Sequence, residues 1–286
     1  HGMVERGMGA AVGQDPEIAK MVVEWVMEVA TIPVITKLTP NVHSAVPGAL
    51  AAIEGGTNGL SLINTIQSVT GIDLDTLVPN PNVGGKSVFG GYCGPAVKPI
   101  ALKMLTTLSQ DEKIRNVPIS GIGGISTWKD AAEFMLLGAS NVQVCTAAMI
   151  SGFKIITDLC DGLNNWMDDK GYKNINDFIG LSVPKIIKWE ELDINFHIVA
   201  KIDPAKCINC GLCYIACEDT SHQAIAIKQG HPYNTYTIKE EECVGCNLCK
   251  IVCPVNDCIT MEEQRKGDEY LNWIEYEKRG LPLNDH

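Results

Sequence analysis

Two cysteine runs constrain this chain more than anything else in it. The first reads Cys207-Ile-Asn-Cys210-Gly-Leu-Cys213-Tyr-Ile-Ala-Cys217, and the second Cys243-Val-Gly-Cys246-Asn-Leu-Cys249-Lys-Ile-Val-Cys253-Pro254. Both have the spacing C-x2-C-x2-C-x3-C, the ligand run of paired [4Fe–4S] clusters. Three thiolates two residues apart let one tight loop wrap three irons of a cubane, with backbone N–H groups turned toward the sulfurs. The fourth cysteine sits on the next helical turn and faces the other cluster. The expected ligand sets are therefore Cys207, Cys210, Cys213 and Cys253 for one cluster, and Cys243, Cys246, Cys249 and Cys217 for the other. Zinc would leave the third cysteine of each run surplus. Disulfides need an oxidising compartment and rarely use such dense, repeated spacing. Glu218 stands where the run usually has proline, placing a charge that can shift the cluster's potential.

The remaining sequence must house this module in something larger. A chain of 286 residues with 45% hydrophobic content has room for about two domains and a sizeable core. Its net charge of -11 argues against a nucleic-acid or anionic-membrane surface. Of its 12 cysteines, Cys93, Cys145, Cys160 and Cys258 are left over from the runs. Cys93 and Cys258 read as small buried hydrophobes rather than reactive thiols. Thiolate ligands belong in a reducing compartment, so the cytoplasm is expected. No uncharged apolar run reaches the length of a membrane span.

In chain order, Gly2, Gly7, Gly9 and Gly13 mark a loop at a working surface. Asp15-Pro16-Glu17 starts a helix that runs to about Ala30, with Asp15 as N-cap and Val23, Val26, Val29 and Ala30 on one face. Ile32–Lys37 is a short strand, residues 45–53 a helix, and Gly59–Asn64 a second strand. A long glycine- and proline-rich connection then runs to Gly90-Gly91, the length of a lid or binding loop. Residues 96–108 are helical, Val117–Gly121 a strand, residues 129–137 a helix and Asn141–Cys145 a strand. Four strand–helix repeats mean a parallel sheet with helical crossovers. The polar and glycine residues fall at the carboxyl ends of the strands, where α/β folds place their sites. Residues 151–197 read as a helical connector, with segments at 153–163, 175–179 and 184–191. Residues 198–262 form the α+β cluster module, and residues 263–286 a charged tail.

Lys37-Leu-Thr-Pro-Asn41, Asn64-Thr65, Gly121-Ile-Gly-Gly-Ile125 and Val142-Gln-Val-Cys-Thr146 occur in one order and spacing. With the opening Gly2–Gly9 and the tandem clusters, this combination resembles the dihydropyrimidine dehydrogenase family in its bacterial, NAD-dependent form. The resemblance covers nearly the whole chain. It implies a TIM (β/α)8 barrel of the dihydroorotate dehydrogenase type, of which residues 1–150 supply strands five to eight, followed by a two-[4Fe–4S] ferredoxin domain. It implies FMN in the barrel and interconversion of uracil or thymine with the 5,6-dihydro forms. A hydride passes between pyrimidine C6 and flavin N5 while a general acid serves C5. Electrons travel through the clusters to a partner subunit holding FAD and NAD(H), so a hetero-oligomer is expected. No G-x-G-x-x-G unit is visible here for NAD.

The resemblance also implies roles. Lys37 is expected as a buried lysine near flavin N1, stabilising negative charge on the reduced ring; the plainer alternative is a lysine snorkelling from a strand end. Asn64 and Thr65 would pair with the pyrimidine edge, or else simply shape a turn. Gly123, Gly124, Cys145 and Thr146 follow the strands that carry the barrel's phosphate site, and Gly94 is a further flavin contact. The family's proton-donating cysteine precedes a Pro-His-Gly-Met run, so the acid would lie two residues upstream of His1. His1 itself would neighbour that acid and tune proton transfer, unless it is only a terminal histidine. Two alternatives stand beside this reading: a dihydroorotate dehydrogenase relative with a fused ferredoxin, and an electron-transfer module attached to a non-catalytic half-barrel.

Overall fold

The computed structural model describes residues 10–192, 195–220, 222–264, 271 and 273–280. His1 and the glycines at 2, 7 and 9 lie outside them. The chain divides into two compact units, residues 1–187 and 188–286.

The first unit opens with a short helix α1 (Ala10–Gln14) and then α2 (Pro16–Val29). The Asp15 carboxylate accepts from the backbone N–H groups of Glu17 and Ile18, at 3.0 and 3.3 Å, and satisfies donors the helix start leaves open. Next come β1 (Ile35–Lys37), α3 (Val46–Glu54) and β2 (Gly59–Leu62). The long connection folds into two small antiparallel pairs. β3 (Ile66–Ser68) pairs with β6 (Gly90–Tyr92), and β4 (Gly71–Asp73) with β5 (Val78–Asn80). Then follow α4 (Lys98–Gln110), β7 (Ile119–Ile122), α5 (Trp128–Leu136), β8 (Asn141–Gln143), α6 (Thr146–Ser151) and α7 (Lys154–Lys170).

β1, β2, β7 and β8 form one parallel sheet in that order, with Ile35 beside Gly59, Leu60 beside Ile119 and Ser120 beside Asn141. Each strand lies next to its predecessor with a helix between. That is the parallel sheet with helical crossovers expected from the alternation, and it fits the arc of a (β/α)8 barrel that the resemblance implies. Leu60, Leu62, Leu105, Leu108, Ile114 and Phe134 are fully buried beneath the helices. Each such side chain contributes about 1.5–3 kcal/mol on leaving water.

Gly13 lies in α1 rather than in a loop, and two further expectations fail for visible reasons. The apolar face of α2 is not one buried stripe: Val23 is buried, but Val26 is 43% and Val29 78% exposed. Steps of about 100° carry Val29 roughly 120° round the helix from Val23, and β1 beyond it is the sheet's edge. Residues 184–191 do not make a helix; they form two single 3₁₀ turns, Val183–Lys185 and Trp189–Glu191, separated by extended backbone. So short a segment has too few hydrogen bonds to offset helix nucleation. Residues 154–178 pack on α5 through Trp166, Tyr172, Phe178, Met135 and Met167. The Trp166 and Phe178 rings meet edge-on at 5.1 Å.

The second unit is α+β. β9 (His197–Ile202) pairs antiparallel with β12 (Ile259–Gln264), and β10 (Ile225–Lys228) with β11 (Thr235–Ile238). α8 (Leu212–Asp219) and α9 (Leu248–Val252) carry the ends of the cysteine runs, and α10 (Trp273–Lys278) lies in the tail. Among the described residues no helix is long and apolar enough to cross a membrane.

Candidate functional sites

In the first unit one cleft opens at the carboxyl ends of the parallel strands. It is about 340 Å3 in volume, and Lys37, Asn64, Thr65, Gly94, Gly123, Gly124, Cys145 and Thr146 all line it. All but Lys37, the last residue of β1, arrive by the same route: a strand ends, and the turn after it presents backbone and short side chains. Asn41 holds the turn after β2, donating from Nδ2 to the Thr65 carbonyl at 3.1 Å and accepting the Gln67 N–H at 2.8 Å. At Gly124 the backbone is left-handed, with φ +80°. An added Cβ would stand 2.8 Å from the Gly94 carbonyl oxygen and 3.0 Å from Lys98 N. Only glycine lets these two turns approach so closely.

Two residues sit differently from expectation. Lys37 is exposed, not buried, at the end of β1, which is an edge strand among the described residues. Cys93 is exposed in the cleft wall, and its sulfur accepts a hydrogen bond from Thr146 Oγ1 at 3.3 Å. It is not a buried hydrophobe; the turn after β6 carries it outward. His1 lies outside the described residues.

The cleft also contains residues that inspection of the sequence did not assign. Gln143 ends β8 and donates from Nε2 to Ser61 Oγ and Ser120 Oγ, both at 2.8 Å, tying three strands together below the opening. A polar residue at the carboxyl end of an apolar strand was the available signal. Tyr92, Ser126 and Ile150 line the cleft as well. Behind it, Lys98 Nζ lies 2.6 Å from Asp130 Oδ1 and 2.8 Å from Glu133 Oε2. Burial works against the charge of Asp130. The Lys98 ammonium and the donors of Ser126 and Thr127 outweigh it and hold the carboxyl down at about 2. Asp130, and then Glu133, raise Lys98 in turn.

A flavin mononucleotide fits what this cleft offers. The volume lies within the range of about 300–1,000 Å3 usual for small-molecule sites. Its walls mix apolar side chains with glycine turns that free backbone N–H groups to face a ligand.

In the second unit Cys207, Cys210, Cys213 and Cys253 line one pocket, together with buried Cys258. Cys217, Cys243, Cys246 and Cys249 line another. These are the two sets expected from the spacing. The paired loops share an unusual backbone. Asn209 and Gly245 hold matching left-handed positions before the second cysteine, and Gly211 and Asn247 before the third. This curls each loop around its pocket. Backbone N–H groups reach the sulfurs, Ala224 donating to Cys217 at 3.3 Å and Ala200 to Cys243 at 3.5 Å. Among the described residues no group of three or more His, Cys, Asp or Glu side chains is arranged to hold a single metal ion. Burial pushes the Cys249 thiol up to about 11, aided by Cys243 and Cys246 and opposed by the Lys250 N–H. Burial likewise raises Cys213. A positive centre beside such thiols would favour their thiolate form.

Comparison with known proteins agrees with this division. Residues 5–167 match the dihydroorotate dehydrogenase family, and residues 200–261 a 4Fe-4S dicluster domain. The chain is 43% identical over 223 residues to the NAD-dependent dihydropyrimidine dehydrogenase subunit PreA of Escherichia coli (strain K12), covering 78% of this chain and 54% of that protein. It is 44% identical over 186 residues to the chloroplastic dihydropyrimidine dehydrogenase (NADP(+)) of Arabidopsis thaliana, covering 64% and 44%. It is 40% identical over 178 residues to the catalytic subunit of dihydroorotate dehydrogenase B (NAD(+)) of Pyrococcus horikoshii, covering 62% and 56%. The chain thus spans about half the length of the curated relatives it matches.

Proposed function

The chain belongs to the dihydroorotate dehydrogenase family, and on that premise we propose that it is the flavin- and iron–sulfur-bearing part of an oxidoreductase that interconverts uracil or thymine and their 5,6-dihydro forms. One observation carries the reading. A single strand-end cleft collects Lys37, Asn64, Thr65, Gly94, Gly123, Gly124, Cys145 and Thr146, in a chain that also folds two four-thiol pockets.

The residues divide the work by chemistry. The backbone turns at Gly123–Gly124 and Cys145–Thr146 offer N–H groups to a flavin phosphate. Gly94 lets its loop close on the cofactor without a side chain in the way. Lys37 brings a cation to the cleft rim, where negative charge would develop on reduction. Asn64 and Thr65 supply donors and acceptors suited to the alternating C=O and N–H edge of a pyrimidine. FMN, when bound, supplies the acceptor for an electron pair from the ring. The clusters held by the two thiol sets supply one-electron carriers leading out to a partner with FAD and NAD(H), in a hetero-oligomer. Thiolate ligands suit a reducing compartment, hence the cytoplasm.

The alignment with the dihydropyrimidine dehydrogenase subunit of E. coli extends over 78% of this chain, and that with the P. horikoshii dihydroorotate enzyme over 62%. This favours dihydropyrimidines over dihydroorotate. The test is anaerobic dye reduction by the cofactor-loaded protein, offered 5,6-dihydrouracil, 5,6-dihydrothymine and dihydroorotate in turn. Turnover with the first two supports the proposal; turnover with dihydroorotate alone replaces it by the runner-up.

A further inference from the structure

We propose that Lys98 and Asp130 are positioning residues: their ion pair clamps together the glycine turns at Gly94 and Gly123–Gly124, and so sets the affinity of the cleft for the phosphate end of a flavin nucleotide. This rests on the flavin reading above and goes beyond it, since neither residue lines the cleft.

The connectivity is unusual for an ordinary helix cap. Asp130 sits in the first turn of α5 and is 7% exposed. Its Oδ2 accepts from Ser126 N at 3.0 Å, Ser126 Oγ at 3.2 Å, Thr127 N at 2.7 Å and Thr127 Oγ1 at 2.9 Å. A capping box accounts for the Thr127 bonds alone. It does not account for Oδ1, which takes the ammonium of Lys98 from the start of α4, 32 residues earlier. One carboxylate therefore ties the first residue of α4 to the segment that leaves Gly124.

The tie is made where the two turns touch. The Gly124 backbone lies so near the Gly94 carbonyl and Lys98 N that no side chain fits between. Both turns line the cleft. Were the pair absent, Glu133 further along α5 and the packing of Gly123 against Ala101 would still join α4 to this region, but the segment leaving Gly124 would lose its charged tie to the start of α4, and the turns could separate or twist. Charge reinforces the argument. Asp130 and Glu133 together offset the Lys98 ammonium, so Lys98 is not a free cation for a phosphate. Asp130 also occupies the Ser126 and Thr127 N–H groups. What remains for an anion is the backbone at Gly123–Gly124 and Cys145–Thr146, whose geometry the clamp governs.

FMN and riboflavin differ only in the phosphate, so their affinities for the full chain separate this role from general damage. Flavin fluorescence quenching gives both constants for wild type, Lys98→Met, Asp130→Asn and Lys98→Arg, with circular dichroism confirming that each is folded. The Kd for FMN should rise about 10- to 100-fold in Lys98→Met and Asp130→Asn, the scale seen when supporting partners of a site are removed. The Kd for riboflavin should change by less than about threefold, and Lys98→Arg should restore most FMN binding, because arginine keeps the carboxylate pairing. If Lys98→Met fails to fold, Asp130→Asn, near-isosteric and still able to accept from Thr127, carries the test. Equal loss of both flavins, or no loss in folded variants, overturns the clamp. A wild-type chain that binds neither flavin overturns the flavin reading itself and takes the clamp with it.

Discussion

In residues 1–187 the core and the cleft are largely different sets of residues, meeting only where Ile63, Val97 and Ile125 floor the cleft. Leu60, Leu62, Leu105, Leu108, Ile114 and Phe134 are buried under the helices, while the cleft is lined by strand-end turns above them. In residues 188–286 the two sets merge. Cys213, Cys243 and Cys249 are core residues beside Val199, Ala200, Ile225 and Ile259, with Cys207, Cys217 and Cys253 packed against them. A unit of that size with so few large apolar side chains has little else to hold it, and metal binding there is also folding free energy. On this contrast the barrel-type unit should keep its fold when its cleft is empty, and the cluster unit should not when its pockets are.

The sharpest way to break this comparison is to remove one ligand thiol. Cys213→Ser should cost one cluster outright and leave the second unit sensitive to protease, with iron and sulfide falling from about eight of each per chain toward four or below. Cys258→Ser is the control. That thiol lines the same pocket as Cys207 and Cys253 but belongs to neither ligand set, so full iron content should survive. A cluster lost from Cys258→Ser would show the ligand set to be wrong.

In the first unit the large effect should come from the core and leave the iron alone. Phe134 is fully buried, and Gly121 of β7 packs against its ring. Phe134→Ala should destabilise that unit by about 3–5 kcal/mol, from lost burial and the cavity left behind. Thermal unfolding followed by tryptophan fluorescence reads it, with iron analysis unchanged. A fall in iron content would mean that the units depend on each other more than their separate cores suggest.

The same contrast decides what could be read from the sequence. The thiol sets were legible because cluster ligands are spaced locally and repeat. The four parallel strands were legible because each is a short apolar run closed by polar or glycine residues. The cleft residues needed a family resemblance, since Lys37 and Thr146 share no local pattern. Contacts across the chain were not legible by any route: Gln143 reaches Ser61 over 82 positions, and Lys98 reaches Asp130 over 32. The exposure of Lys37, Val29 and Cys93 likewise depends on which strand is the edge and where a hairpin carries its end, facts of packing rather than composition.

A smaller effect should appear in acid. The carboxyl of Asp130 is held at about 2 in the folded chain against an ordinary 3.8. A depressed folded value stabilises above the unfolded value and is lost as pH falls through the folded one. About 2 kcal/mol should therefore be present above roughly pH 4 and gone near pH 2. Asp130→Asn should flatten the pH dependence of first-unit unfolding in that window. An unchanged acid limb would mean that the charge matters less than the hydrogen bonds around it.

The smallest expected effect on stability is at Lys37, and for that reason it tests the comparison most finely. Its side chain is exposed at the end of the edge strand and also lines the cleft. Replacing an exposed surface side chain usually changes stability by no more than about 0.5 kcal/mol. Lys37→Met should therefore leave the melting of both units and the iron content where they are. If the cation serves the cleft, flavin should still bind, because the glycine turns are untouched. Reduction of that flavin by dihydropyrimidine should slow, because negative charge would then develop beside a thioether instead of an ammonium. Normal reduction would make Lys37 a bystander at the rim. A drop in melting temperature as large as that of a core variant would contradict the separation itself, since a cleft residue would then be holding the fold as the thiols do in the other unit.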